Sequence, residues 1–288
     1  MFYLITDTDI ERFIEEDVPF GDLTSTLLGI GGKPGEISFT SRENTLLCCT
    51  EEAAKVLEKS GARVIDSMKS GSSVGPGVTF LTATGPATSL HAGWKVALNL
   101  LEYASGIATR TAEIVSRAKA ANPGISVVST RKSFPGTKKI AIKAIMAGGA
   151  MPHRLGLSET ILVFDKHRSF LDDGESFRDT LESLKKKSPE HKIIMEADSP
   201  EEALLFAEGG ADIVQVDKMQ PAMLSSLVEK IRKKHPGVAI SAAGGINAEN
   251  AALYAGTGID IMVLSSVYSG KPSDIAVSLH PCKNGQIS

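Results

Sequence analysis

A repeated alternation of short apolar runs and helical segments, beginning at residue 125, limits the fold of this chain more than any other feature. Successive runs end near Glu196, Asp217, Gly244 and Ser265, which are 21, 27 and 21 residues apart. Helix-start signals follow the runs, as at Ser199-Pro200-Glu201-Glu202, where a serine cap precedes a proline at the first helical position. Units of this length predict a parallel sheet or barrel whose site lies at the carboxyl ends of the strands.

The first third of the chain has a different pattern, with short β segments separated by glycines. Strands are predicted at 37–40, 45–49 and 78–81, and a helix over 51–59. This mixture predicts an α+β sandwich. Helical periodicity follows over 89–121, on either side of Gly106.

Cationic side chains follow two predicted strands and an intervening loop. Arg131 and Lys132 come after the strand at 125–128, and Lys166, His167 and Arg168 come after the strand at 160–164. His153 and Arg154 lie between them, near Gly and Pro residues. Arg binds phosphates and carboxylates bidentately and Lys supplies a point charge, so a cleft that collects these groups suits a substrate with several phosphates or carboxylates.

Two carboxylates, Glu196 and Asp217, end strands that are otherwise apolar. A carboxylate there could coordinate Mg²⁺ on a phosphorylated substrate or stabilise a cationic transition state, and the alternative for each is a salt bridge to a neighbouring Arg or Lys. Gly244-Gly245 and Ser265-Ser266 follow later strands. Loops after the later strands of a barrel commonly bind phosphate through backbone N–H groups, so these two turns form a candidate phosphate site.

Lys218, directly after Asp217, gives a rival interpretation. An amine at a strand end could form a Schiff base with the substrate, as in barrel aldolases. The neighbouring cations and the candidate phosphate loop favour a more highly charged substrate than a simple keto sugar.

Composition excludes several classes of protein. The net charge of -3 gives no overall attraction to nucleic acid. Cys48 and Cys49 are adjacent and poorly placed for a mutual disulfide, and together with Cys282 they are typical of a reduced, cytoplasmic protein. Neither a signal peptide nor a membrane-spanning run is expected. A solvated helix face is expected at Lys138, Lys139 and Lys143.

The chain resembles the quinolinate phosphoribosyltransferase family over nearly its whole length. The matching segments occur in the family's order, at 16–24, 98–109, 130–136, 153–157 and 244–246. The resemblance implies an N-terminal α+β sandwich, an open, mostly parallel α/β barrel with fewer than eight complete units, and a homodimer or higher homo-oligomer with shared active sites. We place the sandwich at 1–105 and the barrel at 106–274, and the tail at 275–288 could pack back on the sandwich.

The resemblance also implies chemistry: a pentosyltransferase that uses Mg²⁺ and transfers phosphoribosyl from phosphoribosyl pyrophosphate (PRPP) to a small-molecule acceptor. Glu196 and Asp217 would support the oxocarbenium-like ribosyl group or its metal. The positions that would bind the acidic substrate and pyrophosphate are Lys95, Arg131, Lys132, His153, Arg154, Phe164 and His167. Those that would hold the 5-phosphate are Ala243, Gly244, Gly245, Ser265 and Ser266.

Several positions depart from the family's pattern. Phe164 stands where the family has a substrate-facing Lys, and Lys95 where it has an Arg that reaches the partner's site. Lys218 replaces an Asn, and Ala243 replaces a Ser. An aromatic ring in place of an ammonium group weakens carboxylate binding and favours a stacking or less charged acceptor. With the segments 133–139, 147–154 and 157–160, these departures resemble the ModD branch of the family, pyrophosphorylases associated with bacterial molybdenum transport.

We therefore predict a ModD-type phosphoribosyltransferase with an aromatic acceptor. Two alternatives stay open at this point. One is an authentic quinolinate phosphoribosyltransferase that makes nicotinate mononucleotide despite Phe164. The other is a barrel without catalysis that binds an oxyanion or a phosphorylated metabolite, and a functional Glu196→Ala variant would favour it.

Overall fold

The computed structural model describes residues 5–171 and 176–282. Its helices, in chain order, are α1 (Asp7–Asp17), α2 (Leu23–Leu27), α3 (Thr50–Lys59), α4 (Ala87–Ala121), α5 (Lys138–Ala147), α6 (Asp165–Arg168), α7 (Phe177–Lys187), α8 (Pro200–Glu208), α9 (Pro221–Lys234) and α10 (Ala251–Ala255). A short 3₁₀ helix spans Ser266–Tyr268.

The strands, in the same order, are β1 (Pro34–Ser41), β2 (Thr45–Leu46), β3 (Arg63–Ser67), β4 (Ser73–Val74), β5 (Thr79–Pro86), β6 (Ser126–Ser129), β7 (Met151–Pro152), β8 (Ile161–Val163), β9 (Ile193–Ala197), β10 (Ile213–Asp217), β11 (Ala239–Ala243), β12 (Ile261–Leu264) and β13 (Ile275–Pro281). No helix in the described part of the chain is long and apolar enough to cross a membrane.

The chain divides into two compact units, each built from separate segments. The first comprises 1–112, 134–148 and 270–288, and the second comprises 113–133 and 149–269, apart from residues that are not described. The single helix α4 runs through the predicted boundary between 105 and 106. The predicted domain limits therefore stay a prediction.

The first unit contains a four-stranded antiparallel sheet in the order β13-β1-β5-β3. Along β1, Ile37 and Phe39 are fully buried while Glu36 is exposed, which is the two-residue alternation of a strand with one covered face. Helices join this sheet in the first unit, so the N-terminal α+β architecture is confirmed. The tail strand β13 pairs with β1 from Ile275 to Pro281.

The second unit contains a seven-stranded sheet in the order β7-β6-β12-β11-β10-β9-β8. Every pair in it is parallel, and the two outer strands β7 and β8 do not pair with each other in the described residues. Strands β9, β11 and β12 are buried along most of their length, as expected when helices cover a parallel sheet. The predicted open, parallel α/β barrel is confirmed.

Capping and turn residues in the sequence predicted most helix and strand limits correctly. Ser199 caps α8 by accepting the N–H of Glu202 at 3.1 Å, and Pro200 follows at the first turn. The helix predicted to open at Asn247 begins at Ala251 instead, and Asn247 caps the turn that precedes α10 by accepting the N–H groups of Glu249 and Asn250. Strand β2 is also shorter than predicted, since it ends at Leu46, and Cys49 adopts a left-handed backbone with φ of 62°.

The lysines of α5 do not form the expected solvated face. Lys143 is 8% exposed, and its Nζ lies 2.8 Å from Oε2 of Glu51 and 2.5 Å from Oε2 of Glu52, both on α3. Lys139 pairs with Asp9 at 2.6 Å. The interpretation was wrong for Lys143 because carboxylates distant in sequence compensate its burial.

Candidate functional site

A cavity of about 480 Å³ lies at the carboxyl edge of the parallel sheet. Residues at or just after the ends of all seven strands line it. From one edge of the sheet to the other, they include His153 and Arg154 after β7, Arg131 and Lys132 after β6, Ser265 after β12, Gly244 and Gly245 after β11, Asp217 and Lys218 at β10, Glu196 on β9, and Phe164 and Lys166 after β8. The parallel topology therefore brings together groups that are far apart in sequence.

The cationic side of the cavity is formed after β6 and β7. Burial lowers the pKa of the Arg154 guanidinium, and the charge of Arg131 lowers it further. Burial, and then the charge of Arg154, also lowers the pKa of His153 below its ordinary value of 6.5, which favours the neutral imidazole. Two guanidinium groups that repel each other favour an anion between them.

Backbone contacts fix the loops that carry these cations. Glu159 accepts the N–H groups of Leu155 and Gly156, the latter at 3.0 Å, just after Arg154. The hydroxyl of Tyr268 donates to the Thr130 carbonyl at 2.6 Å, just before Arg131. The basic groups therefore project from constrained turns.

The acidic side is formed by β9 and β10. Nε2 of Gln215 donates to Oε2 of Glu196 at 2.7 Å. Burial raises the pKa of Glu196, and the charges of Asp217, Asp198 and Asp165 raise it further, against the effect of the Gln215 hydrogen bond. A carboxyl group whose pKa is raised by neighbouring carboxylates lies in a region of negative potential, which favours a cation.

The carboxylates of Glu196 and Asp217 fit a metal site whose remaining ligands come from the substrate and water. No group of three or more His, Cys, Asp or Glu side chains that could hold a metal occurs within 5–171 and 176–282. Mg²⁺ is commonly bound by one or two carboxylates together with waters and substrate phosphates. Glu196 and Asp217 fit an Mg²⁺ ion that arrives with a phosphorylated substrate.

The glycine turn after β11 packs against the end of β10. Gly244 has φ of 85°, and a Cβ there would contact Oδ1 of Asp217 and stand 2.8 Å from the backbone N of Lys218. Gly245 has φ of 73°, but a Cβ there would meet nothing within 4 Å. Gly244 is thus required by contact as well as by conformation, whereas Gly245 is favoured by conformation alone.

The hydroxyl of Ser266 is already used inside the protein. It donates to the Ile246 carbonyl at 2.7 Å, and so ties the turn after β12 to the turn after β11. Ser265 lines the cavity and Ser266 does not. Ser266 is therefore placed to support the turn with its side chain.

The aromatic side is formed after β8. The ring of Phe164 lines the cavity, and His167 packs against it with ring centroids 4.1 Å apart. Nδ1 of His167 accepts the Phe164 N–H at 3.4 Å, so His167 supports the phenyl ring and does not itself line the cavity. Lys166 lines the cavity with its Nζ 6.0 Å from the Phe164 ring centroid.

Lys95, like His167 and Ser266, is not among the residues that line the cavity. Lys95 is exposed on α4 in the first unit, with its Nζ 5.5 Å from the Trp94 ring centroid, and it does not line the cavity of the second unit.

Seven residues that line the cavity were absent from the predicted site: Thr130, Leu162, Asp165, Lys166, Gln215, Lys218 and Val263. Lys166 and Lys218 follow strand ends, so the rule that selected Arg131 also applies to them. Gln215 lies two residues before Asp217, and therefore on the same face of β10.

Two family descriptions match this sequence. Residues 22–105 match the N-terminal domain of quinolinate phosphoribosyl transferase, and residues 107–278 match its C-terminal domain. Together they span most of the 288 residues.

Related proteins match over nearly the whole chain. A Rhodobacter capsulatus protein named "Putative pyrophosphorylase ModD" is 40% identical over 250 residues, which cover 87% of this chain and 96% of that protein. A Methanothermobacter thermautotrophicus protein named "Probable nicotinate-nucleotide pyrophosphorylase" is 30% identical over 281 residues, which cover 95% and 99%. The crystal structure of nicotinate-nucleotide pyrophosphorylase from Ehrlichia chaffeensis has the same fold, with a TM-score of 0.86 at 22% identity over 96% of this chain and 99% of that one.

Proposed function

We infer the activity from one premise: the chain belongs to the quinolinate phosphoribosyltransferase family. It is a phosphoribosyltransferase of the ModD type, a pentosyltransferase that uses PRPP. The observation that carries this conclusion is the cavity at the carboxyl edge of the parallel sheet, which combines a glycine turn, a cationic cluster and two carboxylates. PRPP carries phosphates at both ends of a ribose and needs all three features.

We propose the following roles for the cavity residues. Gly244, Gly245 and Ser265 hold the 5-phosphate, since backbone N–H groups in such a glycine turn bind phosphate oxygens. Arg131 and Lys132 bind the pyrophosphate as it leaves. Bound Mg²⁺, held through Glu196 and Asp217, would neutralise charge on that pyrophosphate.

The same two carboxylates suit the developing charge on the sugar. As the bond between C1 of the ribose and the pyrophosphate breaks, positive charge forms on the ribosyl group. Glu196 and Asp217 lie on adjacent strands of the half-buried edge, where fixed negative charge stabilises that state more strongly than in water.

The part of the cavity that would hold the acceptor favours an aromatic molecule with little negative charge. Phe164 offers a ring face, and stacking on it contributes about 0.5–1.5 kcal/mol. Arg154 and neutral His153, at the opposite edge of the open sheet, could bind one acidic or polar substituent. We propose an aromatic acceptor that stacks on Phe164 and carries at most one acidic group.

The test is pyrophosphate release from PRPP and Mg²⁺, with quinolinate, nicotinate and other aromatic acids and bases supplied one at a time. Release with an acceptor other than quinolinate is expected. Release with quinolinate alone would support an authentic quinolinate phosphoribosyltransferase. The comparisons do not favour that alternative, because the relative named as a nicotinate-nucleotide pyrophosphorylase is 30% identical to this chain and the ModD relative is 40% identical. Absence of release with every acceptor, together with PRPP binding by calorimetry, would favour a binding protein.

We also propose a cytoplasmic homodimer in which Lys95 serves the partner's cavity. Its support is that Lys95 is exposed and does not line the cavity of its own second unit. Mixing inactive Lys95→Ala and Arg131→Ala variants should restore part of the activity, because one site in each mixed dimer would be intact. A monomer in sedimentation, or no restoration after subunit exchange, would contradict this arrangement.

The link to molybdenum transport stays a prediction from the resemblance.

A further inference from the structure

The backbone of Lys218 is held in place by the neighbouring strand. Its φ of 55° lies in the left-handed region, which a side chain with a Cβ adopts at a cost of about 1–2 kcal/mol. Its N–H donates to the Ala243 carbonyl at 2.8 Å, at the end of β11. Strain maintained by surrounding structure is a common property of functional sites.

The contact with Gly244 directs the Lys218 side chain. A Cβ at Gly244 would stand 2.6 Å from Cγ of Lys218, so the aliphatic stem passes over the Cα of this glycine. The ammonium group belongs to a side chain that is 80% exposed, and it lies 3.7 Å from Oδ2 of Asp217. A positive charge is thus presented beside both the glycine turn and a candidate metal ligand.

This position places Lys218 in competition with a metal ion. An ammonium group next to Asp217 partly neutralises that carboxylate and repels a divalent cation from it. Three carboxylates, Asp165, Glu196 and Asp217, line the cavity, but the described residues contain no group of three or more ligands that could hold a metal ion without the substrate. Lysine can replace part of the metal's role, since an ammonium group also neutralises phosphate oxygens.

We propose that Lys218 is a donor-binding residue that supplies part of the positive charge otherwise given by Mg²⁺, so that PRPP binding depends only weakly on Mg²⁺. The inference rests on the proposed function, because PRPP is the donor in question. Its direct consequence is that the loss of the ammonium group weakens PRPP binding most when Mg²⁺ is absent.

The experiment is calorimetric titration of the full-length protein with PRPP, once in EDTA and once in excess Mg²⁺. Lys218→Asn removes the charge and keeps a residue that tolerates the left-handed backbone. Lys218→Arg keeps the charge, and Lys234→Gln on α9 is the control for an exposed lysine outside the cavity. Lys218→Asn should lose at least about tenfold in PRPP affinity in EDTA, with a much smaller loss in Mg²⁺, while Lys218→Arg and Lys234→Gln should resemble the wild type.

Two results would overturn the proposal. One is an equal loss of PRPP affinity for Lys218→Asn in both buffers, and the other is no loss of affinity in either buffer. Both results leave wild-type PRPP binding and the proposed function intact. Failure of the wild type to bind PRPP in both buffers would contradict the proposed function and this inference together. Urea midpoints verify that the variants fold, and Lys218→Gly, which adopts the same backbone freely, replaces the Asn variant if that protein is unstable.

Discussion

At the scale of single residues, the two glycines after β11 allow the effect of steric overlap to be distinguished from the effect of a left-handed backbone. Gly244→Ala would force a Cβ against the carboxylate of Asp217 and the backbone of Lys218, and backbone atoms cannot swing away. The combined overlap and left-handed strain should cost about 2–4 kcal/mol and abolish most PRPP binding. Urea unfolding and calorimetry measure the two effects.

Gly245→Ala is the matched control for that substitution. It shares the left-handed backbone but its Cβ would meet nothing within 4 Å, so a loss of about 1–2 kcal/mol is expected. Equal losses of stability and binding for the two variants would show that overlap with Asp217 and Lys218 does not matter.

Glu196 illustrates a residue whose charge is unfavourable to the fold and needed by the site. Its pKa is raised by burial and by Asp217, Asp198 and Asp165 from the ordinary value of 4.5. A raised carboxyl pKa means that the folded state holds the proton more tightly, so this stabilisation is present below pH 4.5 and is lost as the pH rises through the folded-state pKa. Ionised Glu196 therefore weakens the fold at pH 8.

The substitution Glu196→Gln tests both consequences. The variant should resist urea better than the wild type at pH 8, and the difference should disappear at pH 4, whereas activity should fall on the order of 10²-fold because the negative charge is lost. Wild-type activity should also fall as the pH drops through the raised pKa. Asp198→Asn, at a side chain that is 65% exposed, should change stability little, and a less stable Glu196→Gln at pH 8 would refute the argument.

At the scale of elements, periodicity and end signals were sufficient where contacts are local. Helix α9 was predicted over 221–234 and is found there. Strand ends were found because apolar runs stop where polar cavity residues begin, as at Asp217. The position of Lys143 could not be predicted, because its burial depends on carboxylates about ninety residues earlier in the chain.

The Lys143 cluster leads to a prediction about the contact between α3 and α5. Burial opposes the charge of Glu51, but hydrogen bonds from Lys143 and Ser70 outweigh it and hold the pKa at about 2. Lys143→Met preserves side-chain volume but leaves Glu51 and Glu52 without their cation, so a loss of about 3–5 kcal/mol in unfolding free energy is expected. Urea unfolding followed by fluorescence measures it.

Lys55→Met provides the comparison for this element. Lys55 pairs with Asp7 at 3.1 Å, but both side chains are largely exposed, so the loss should be much smaller than that of Lys143→Met. A Lys143→Met protein as stable as Lys55→Met would mean that water already satisfies the two carboxylates.

At the scale of the whole molecule, the sequence predicted the two kinds of architecture, and the domain limits at residues 105 and 106 stay a prediction. Alternating βα units specified the open parallel barrel, because each unit is local in sequence. The assignment of 134–148 to the first unit depends on long-range packing, which periodicity does not encode. The role of Lys95 stays a prediction from the resemblance, because periodicity does not encode contacts with a second copy of the chain.

The distribution of charge gives the last prediction. The protein carries a net charge of -3, but the described cavity is lined by Arg131, Lys132, Arg154, Lys166 and Lys218 against only Asp165, Glu196 and Asp217. Attraction for PRPP is therefore local and partly exposed to salt, which screens charges over about 10 Å at 0.1 M. PRPP affinity in calorimetry should fall on the order of tenfold between 0.05 and 0.5 M KCl.

Lys166→Gln should make this salt dependence shallower, whereas Lys187→Gln on α7, exposed and outside the cavity, should leave it unchanged. Equal slopes for both variants would mean that the overall charge, and not the cavity, attracts the donor.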